Sequence, residues 1–485
     1  MDVSWTTAAW ELLLPVGAAP ARGRGRLLRA ALREAVRGGS LPPGTRMPSS
    51  RDLARDLGVS RGLVTEAYAQ LHAEGYLVSR QGAGTWVATP RVRPRPHPGE
   101  TPAGPPPTTG PPPVDLRPGL PDLRLFPRTA WAAAQRRVLD RLVHQHLGYP
   151  DPRGLPELRA ALADLLVRRR GVAVRPDDLV VCSGVAQALA LLARVLRDRG
   201  HRAVAVEDPG SPPEHGLLAL AGLRTVPVPV HHDGIDVAAL AAGPARVAVV
   251  TPAHQFPTGI AYPPPARAAL LDWARARAGL VVEDDYDGDF RYDREPVGAL
   301  QGLDPEHVAY TGSVSKSLAP GLRLGWLVAP PDLREEVVAV KRLTDLGNPV
   351  PDQAALADLI RGGGYDRHLR RCQRAYRQRR DVLVAALERH FPDARVSGVA
   401  AGLHAVVEFP GGPTRRAAML DGAARSGVRL HPLADYRHAG APPPGDDGPW
   451  RVVLGYAHLT PGEIERAVRR LAHGVLAGRP SAARR

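Results

Sequence analysis

A chain of 485 residues exceeds one ordinary domain core, and its 44% hydrophobic and 23% charged residues exclude a disordered or fibrous protein. It has no run of about 18 uninterrupted apolar residues and no positively charged N-terminal region of a secretory signal, so we expect a cytoplasmic protein without a membrane span. Because it has only two cysteines, we expect neither a disulfide framework nor a metal centre. The net charge is +15, with 14 Arg against 7 acidic residues in positions 1–98, which favours a polyanionic partner, although an arginine-rich composition alone would also raise it.

The first 88 residues predict three helices followed by a β-hairpin. Residues 22–37 have the apolar spacing of an amphipathic helix, which Gly38 and Gly39 end. Ser49 and Ser60 stand at the N-cap positions of two shorter helices separated by a three-residue turn. Residues 76–88 predict a strand, a glycine-containing turn and a second strand. This order is typical of a winged helix-turn-helix, an α+β domain whose second motif helix enters the major groove.

Residues 41–88, LPPGTRMPSSRDLARDLGVSRGLVTEAYAQLHAEGYLVSRQGAGTWVA, resemble the GntR-type winged helix over almost their full length. The resemblance implies binding to double-stranded operator DNA, with phosphate or base contacts from Arg51 and Arg61. It also implies that Thr65 and Tyr68 lie on or beside the recognition-helix surface and that Gly82 shapes the wing tip in the minor groove. A winged helix that binds another protein is the alternative.

Residues 89–113 predict a linker, because 11 of residues 90–113 are proline. Such a run forms neither helix nor sheet, and as a polyproline II spacer it would extend over roughly 70 Å. A proline-rich ligand for another protein is the alternative. The linker divides the chain into a domain of residues 1–88 and a domain of residues 114–475, followed by a tail of residues 476–485.

The large domain predicts an α/β fold with a mainly parallel sheet and helices on both faces, because strand-like and helical segments alternate. Its mixed last part, from about residue 381 to 475, predicts a smaller α/β subdomain. The seven apolar strand-like runs of the main sheet are DLVVC, AVAVE, TVPVPV, RVAVVTP, GLVVEDD, HVAYTGSV and LGWLVAP.

Polar residues follow several of these strands, and the carboxyl ends of parallel strands are where ligands bind. A helix opens directly after DLVVC, so the N–H groups of Val185 and Ala186 can bind an anion such as a phosphate. The residues that follow the later strands add carboxylates, hydroxyls, a lysine and an arginine; they are Asp284, Asp285, Tyr286, Ser313, Ser315, Lys316 and Arg323. These are the groups needed to hold a phosphorylated pyridine aldehyde.

Lysine is nearly absent from this chain: of 64 basic residues only Lys316 and Lys341 are lysine. Arginine supplies positive charge elsewhere, but it does not form a Schiff base as a lysine amine does. Lys316 is therefore the candidate for covalent chemistry. Lys341, within the helical segment VAVKRL, is expected to be an ordinary surface lysine.

Residues 116–471 resemble the fold-type I aminotransferases, through YPDPRGLPELRAAL, SGVAQAL, EDPG, TPAHQFPTG, EDDYDGDF, SVSKSLAPGLRLGW and RVVLGYAHLTPGEIE. The resemblance implies that Lys316 is the catalytic residue and binds pyridoxal 5'-phosphate as a Schiff base. Asp284, in preference to Asp285, would pair with the ring nitrogen, and Tyr286 would bind the 3-hydroxyl. The implied phosphate ligands are Val185, Ala186, Ser313, Ser315, Arg323 and, from the partner subunit, Tyr149. Arg451 would bind a substrate carboxylate or, alternatively, be structural.

Two positions depart from the aminotransferase pattern. Ser211 stands where an aromatic residue often stacks on the cofactor, and Phe256 with Pro257 replaces an asparagine before the PTG sequence. The departures suggest weaker cofactor binding. His254 or Gln255 could supply the missing polar contact, and a structural role for either is the alternative.

The order of winged helix, linker and aminotransferase-like domain resembles the MocR or GabR-like family of bacterial transcription regulators. The resemblance implies a homodimer that binds operator half-sites and senses pyridoxal phosphate or a small amino compound. An aminotransferase with an accessory DNA-binding domain would use the same site residues, so the sequence leaves enzymatic turnover undecided. The intact set of Lys316, Asp284 and Arg323 argues against a domain that has lost its cofactor.

Overall fold

The computed structural model describes residues 20–80, 84–88, 114–292, 297–441 and 448–477. The chain separates into two compact units, Met1–Thr108 and Thr109–Arg485. Gly82 and the predicted linker lie outside the described residues. Within the described residues, no helix has both the length and the apolar character needed to cross a membrane.

The first unit confirms the predicted order of three helices and a hairpin. The elements are α1 (Arg24–Arg37), α2 (Ser50–Asp56), α3 (Arg61–Ala73), β1 (Leu77–Arg80) and β2 (Gly84–Val87), with β1 and β2 antiparallel. The hydroxyl of Ser49 accepts the N–H of Asp52, and that of Ser60 accepts the N–H of Leu63, so both serines cap their helices as expected. The three helices and the hairpin enclose one apolar core.

The main sheet of the second unit has eight strands in the order β4-β11-β10-β9-β8-β5-β6-β7. Its strands are β4 (Leu179–Cys182), β5 (Ala203–Asp208), β6 (Arg224–His231), β7 (Gly234–Ile235), β8 (Val247–Val250), β9 (Leu280–Asp284), β10 (Val308–Ser313) and β11 (Gly325–Val328). Neighbouring strands are parallel along the series β6, β5, β8, β9 and β10. Strand β11 is antiparallel to both of its neighbours, β10 and β4. The predicted, mainly parallel sheet is confirmed.

Helices cover both faces of this sheet, as expected for buried parallel strands. The helices up to the C-terminal part are α4 (Arg128–Arg141), α5 (Pro156–Arg170), α6 (Val185–Asp198), α7 (Pro212–Leu220), α8 (Val237–Ala242), α9 (Pro264–Arg277), α10 (Pro331–Thr344), α11 (Val350–Arg361) and α12 (Gly364–His390). Residues of α6 and α10 share one core with the strands, and residues of α5 and α9 belong to the two other cores.

The C-terminal part forms a second, antiparallel sheet in the order β12-β13-β16-β15. Its elements are β12 (Arg395–Ser397), β13 (His404–Phe409), α13 (Gly412–Ser426), β14 (Val428–Arg429), β15 (His431–Pro432), β16 (Trp450–Gly455) and α14 (Pro461–Ala477); β14 pairs with β3 (Val114–Asp115) at the start of the unit. Residue 381, near which we expected the subdomain to begin, lies inside the continuous helix α12.

Candidate functional site

Strand register brings the predicted polar residues to one edge of the main sheet. Ser313 pairs with Gly325, and Gly325 pairs with Cys182, so the carboxyl ends of β10 and β4 lie on either side of the start of β11. On the other side of β10, Thr311 pairs with Asp284 of β9. The turn into α6, the residues after β10 and the end of β9 therefore meet at this edge.

Lys316 lies in the first turn after β10, with its side chain partly buried. Its Nζ donates a hydrogen bond to the carbonyl of Gly119, at 2.7 Å. Burial lowers the pKa of this lysine, although the nearby carboxylates of Asp287 and Asp284 oppose the shift. A lowered pKa increases the fraction of neutral amine, which is the form that reacts with an aldehyde.

Asp284 and Asp285 have different surroundings. Asp285 accepts hydrogen bonds from Arg170 and from Tyr310, both at 2.6 Å, and its ion pair with Arg170 is buried. Asp284 accepts a hydrogen bond from Thr311 and lines the cavity that Lys316 also lines. Burial, reinforced by repulsion from Glu214, raises the pKa of Asp284 well above its usual value. A cationic ring nitrogen in the cavity would stabilise the ionised form of Asp284.

Tyr286 contacts a buried histidine that the sequence indicated only as one of two alternatives. The hydroxyl of Tyr286 is 3.0 Å from Nδ1 of His254, and Oδ2 of Asp287 is 2.9 Å from the same atom. Gln255 instead hydrogen-bonds to Glu207 and to backbone carbonyls, which is a structural role. Each of the two residues therefore contacts a side chain that lines the cavity, His254 through Tyr286 and Gln255 through Glu207.

The turn that opens α6 combines a glycine, free backbone N–H groups and a nearby arginine. Its N-cap, Gly184, has a φ of +83°, and a Cβ there would lie about 3 Å from the guanidinium of Arg323. Glycine therefore lets Arg323 approach and donate to the carbonyl of Ser183. The N–H groups of Val185 and Ala186 begin the helix and have no intrahelical partner. Ser313 ends β10, on the other side of β11, where its Oγ accepts the N–H of Ser315.

A cavity of about 250 Å³ lies at this edge. Its lining residues are Pro118, Gly119, Leu120, Val206, Glu207, Gly210, Ser211, Glu214, His215, Leu218, Val249, Val250, Thr251, Phe256, Asp284, Tyr286 and Lys316. Glu214 and His215 were not predicted from the sequence, because the first turn of α7 carries no motif that marks them. Burial lowers the pKa of His215 to about 4, so its imidazole is neutral at physiological pH.

The structure does not bring Arg451 to the cavity. Arg451 forms an ion pair with Glu408, its neighbour across β13, at 2.7 Å, and about half of its side chain is exposed. Side chains alternate along a strand, so Val453 and Gly455 share the face of Arg451. Gly455 pairs with His404, whose ring contacts those of His254 and Phe256. Arg451 lies four residues farther along the strand, which corrects its predicted role as a carboxylate ligand.

Tyr149 and Lys341 are also placed by the structure. Tyr149 is 88% exposed and is not among the residues that line the cavity of its own chain. Lys341 is not on the surface as expected: its side chain is fully buried, donating to Asp345 and Asn348. The spacing of Val337, Val338 and Lys341, all buried on one face of α10, was the signal that could have shown this.

The predicted DNA-contacting residues differ in exposure. Arg51, Arg61 and Thr65 are exposed on α2 and α3. Tyr68 is buried in the core of the unit, and its hydroxyl donates to the carbonyl of Pro48. Tyr68 therefore fixes the segment that precedes α2 instead of presenting a polar surface, which corrects its predicted position.

The residues at the edge of the main sheet fit pyridoxal 5'-phosphate. The cavity offers one amine, a buried carboxylate for a cationic nitrogen and a phenol for a ring hydroxyl. Near it, the turn into α6 and Arg323 offer N–H donors for a phosphate. No arginine lines the cavity within the described residues.

Comparison with known proteins agrees with both units. Residues 115–471 match the family described as aminotransferase class I and II, and residues 26–87 match the bacterial regulatory proteins of the gntR family. The chain is 36% identical to the probable rhizopine catabolism regulatory protein MocR of Rhizobium meliloti, over 93% of this chain and 94% of that protein. It is 34% identical to the HTH-type pyridoxine biosynthesis transcriptional regulator PdxR of Corynebacterium glutamicum, over 78% of this chain and 81% of that protein.

Among solved structures, the chain is similar to LysN, an α-aminoadipate aminotransferase from Thermus thermophilus that was crystallised with N-(5'-phosphopyridoxyl)-L-leucine. The two share 29% identity and a TM-score of 0.66, over 75% of this chain and 92% of that one.

Proposed function

The chain belongs to the MocR-type family of transcription regulators, in which a GntR-family domain precedes an aminotransferase class I and II domain, and from this we propose how its two units work together. The winged helix binds operator DNA in the cytoplasm. The large unit holds pyridoxal 5'-phosphate on Lys316 and senses the level of this compound or of a small amino compound that reacts with it. Two chains form a homodimer that presents two winged helices to two half-sites.

One observation carries this proposal: the single lysine of the cavity lies with Asp284 and near the helix turn of Val185 and Ala186. Pyridoxal phosphate would supply an aldehyde that exchanges between primary amines. Lys316 would bind it covalently, Asp284 would keep the ring nitrogen protonated, and Tyr286 would donate to the ring hydroxyl. The N–H groups of Val185 and Ala186, with Arg323, Ser313 and Ser315, would bind the phosphate, and Tyr149 would reach it from the partner subunit.

The cavity favours a sensor over an efficient aminotransferase. A substrate carboxylate usually requires a bidentate arginine, and no arginine lines the cavity within the described residues. The relative that matches 93% of the chain, MocR of Rhizobium meliloti, is named as a regulatory protein, whereas the structural relative LysN, which matches 75% of the chain, is an aminotransferase. Amine exchange at Lys316 suffices for sensing and needs no complete catalytic cycle.

The test replaces Lys316 by alanine in the full chain. Wild-type protein mixed with pyridoxal phosphate is expected to show a visible absorption band that borohydride abolishes, because the reduced linkage to Lys316 no longer absorbs there. The Lys316→Ala variant is expected to lack the borohydride-reducible linkage, and its DNA binding in a gel shift is expected to stop responding to pyridoxal phosphate. A variant that retains a covalent adduct, or a wild type that binds no DNA, would contradict the proposal.

A further inference from the structure

The buried lysine of α10 is connected to the turn that opens α6, here called the α6 turn and defined as residues 183–186. Lys341 donates to Oδ2 of Asp345 at 2.5 Å and to Oδ1 of Asn348 at 2.8 Å. Asn348 in turn donates from Nδ2 to Oγ of Ser183, at 2.8 Å. This path therefore runs from Lys341 to the first residue of the α6 turn.

A second path reaches the same turn. Asp345 accepts a hydrogen bond from Nε2 of Gln187 at 2.7 Å, which leaves Oε1 of Gln187 to accept the backbone N–H of Ser183, also at 2.7 Å. Ser183 is thus held through its hydroxyl and its N–H, while Arg323 donates to its carbonyl. Three polar groups of one residue are fixed, and two of them lead back to Lys341.

The ammonium group determines the direction of these hydrogen bonds because it only donates. Its bond to Oδ1 of Asn348 turns the amide nitrogen of Asn348 toward Ser183. The hydroxyl of Ser183 then accepts from Asn348, so its own proton remains available for donation in the turn whose N–H groups at Val185 and Ala186 have no intrahelical partner. With a neutral, apolar side chain at position 341, Asn348 would have no reason to keep this orientation.

The composition of the chain supports a specific requirement for lysine here. Of 64 basic residues 62 are arginine, and Lys341 is fully buried. A compact ammonium donates to Asp345 and Asn348 within this space, whereas a planar guanidinium needs more room and more acceptors. A buried, uncompensated charge is costly, so the site must pair the lysine with the acceptors that hold the turn.

We propose that Lys341 is a positioning residue for phosphate binding, which it serves by orienting Ser183 and the α6 turn through Asn348, Asp345 and Gln187. The inference rests on the proposed function, because it assumes that the α6 turn receives the phosphate of pyridoxal phosphate. It assigns to the second lysine of the chain a role that involves no contact with the ligand.

The experiment compares pyridoxal phosphate with pyridoxal, which lacks the phosphate, by absorbance titration of cofactor-free, full-length protein. The dissociation constant for pyridoxal divided by that for pyridoxal phosphate isolates the contribution of the phosphate to the affinity. Lys341→Met is expected to reduce this ratio on the order of tenfold or more, as when a residue that orients a ligand-binding group is lost, and to leave the affinity for pyridoxal at the wild-type value. Arg342→Met, which removes an exposed charge from the next position of α10, is the matched control and should change neither constant.

A second variant covers the case in which Lys341→Met does not fold. Asn348→Asp keeps an acceptor for Lys341 but removes the donor to Ser183, and it should lower the same ratio. A wild-type ratio in either folded variant, or a parallel loss of affinity for both ligands, overturns the role of Lys341. A wild-type protein that binds neither ligand contradicts the proposed function instead.

Discussion

At the scale of single residues, the surroundings of a carboxyl group decide what it does. Glu283, Asp284 and Asp285 are consecutive, yet each has a different partner. Asp285 is neutralised by Arg170, Asp284 faces the cavity, and Glu283 accepts the N–H groups of two backbone residues in the core. The alternation of side chains along β9 sends Glu283 and Asp284 to opposite faces, so one strand end supplies both an acid that lines the cavity and an acid that holds backbone N–H groups in the core.

Glu283 leads to a prediction about pH. Burial raises the pKa of this fully buried carboxyl to about 7, from 4.5 in an exposed glutamate. The folded state therefore binds a proton more tightly, and the free energy of unfolding is expected to fall as pH rises from 4.5 to 7, by up to about 3 kcal/mol from this group. Glu283→Gln removes the titration, so relative to wild type the variant should gain stability between pH 5 and pH 8.

Urea unfolding of both proteins at the two pH values measures this difference. Glu335→Gln, at an exposed position on α10, is the control and should shift both values equally. Parallel changes of wild type and Glu283→Gln with pH would show that Glu283 is ionised in the folded protein.

The positions of the candidate residues at the sheet edge were predictable where the sequence marks them locally. Lys316 stands out by its rarity, and Asp284 by its place at a strand end. The contact between Arg451 and Glu408 depends on the pairing of β13 with β16, which joins segments more than forty residues apart. The burial of Lys341 could be anticipated from its spacing with Val337 and Val338, whereas the link from Asn348 to Ser183 joins segments far apart in the sequence and no local pattern marks it.

At the scale of elements, capping made the winged helix predictable. Ser49 and Ser60 each satisfy an N–H group that the helix leaves free, and their spacing is visible in the sequence. The apolar spacing of α3 showed which positions face the core, and Tyr68 shares that spacing with Val64 and Leu71. The resemblance to the GntR-type winged helix implied a position on or beside the recognition surface, but Tyr68 is buried and its hydroxyl donates to the carbonyl of Pro48 inside the unit.

Arg61 at the start of α3 tests the recognition helix. Arg61→Ala is expected to cost about 1 to 3 kcal/mol of binding to the preferred operator if the guanidinium reads a base, and to relax the preference at that base pair. Arg55→Ala, on α2 and paired with Asp52, is the control. Competition gel shifts with operators altered at single base pairs measure both effects. A uniform loss on all sequences would identify a phosphate contact, and no loss would remove the start of α3 from the DNA interface.

At the scale of the whole molecule, the alternation of strands and helices sufficed to predict the main sheet and the edge at which its polar residues meet. The sequence pattern did not predict that β11 runs antiparallel to its neighbours, because the residues of a buried strand do not reveal its direction. It did not predict the length of helix α12 either. Helix α12 crosses the expected subdomain boundary, and its buried positions, among them Tyr376, Arg379 and Leu383, continue at helical spacing on both sides of residue 381. Domain limits within the large unit thus depend on packing that no composition shift marks.

The two-unit organisation leads to a prediction about DNA binding. A single winged helix neutralises few phosphates, whereas two winged helices joined through a dimer of the large unit act at high effective concentration. A protein of residues 1–88 should therefore bind the operator much more weakly than the full chain. The slope of log K against log salt should be roughly twice as steep for the full chain, because two modules release about twice as many counterions.

Fluorescence anisotropy over a series of salt concentrations measures both quantities, and an operator with one half-site destroyed is the matched control. On that DNA the affinity of the full chain should fall close to that of the fragment, because only one winged helix has a half-site to bind. The fragment of residues 1–88 should bind the remaining half-site with unchanged affinity. If fragment and full chain bound the intact operator with equal affinity and equal salt dependence, each chain would act alone on DNA, and the large unit would have to regulate transcription without bringing two winged helices together.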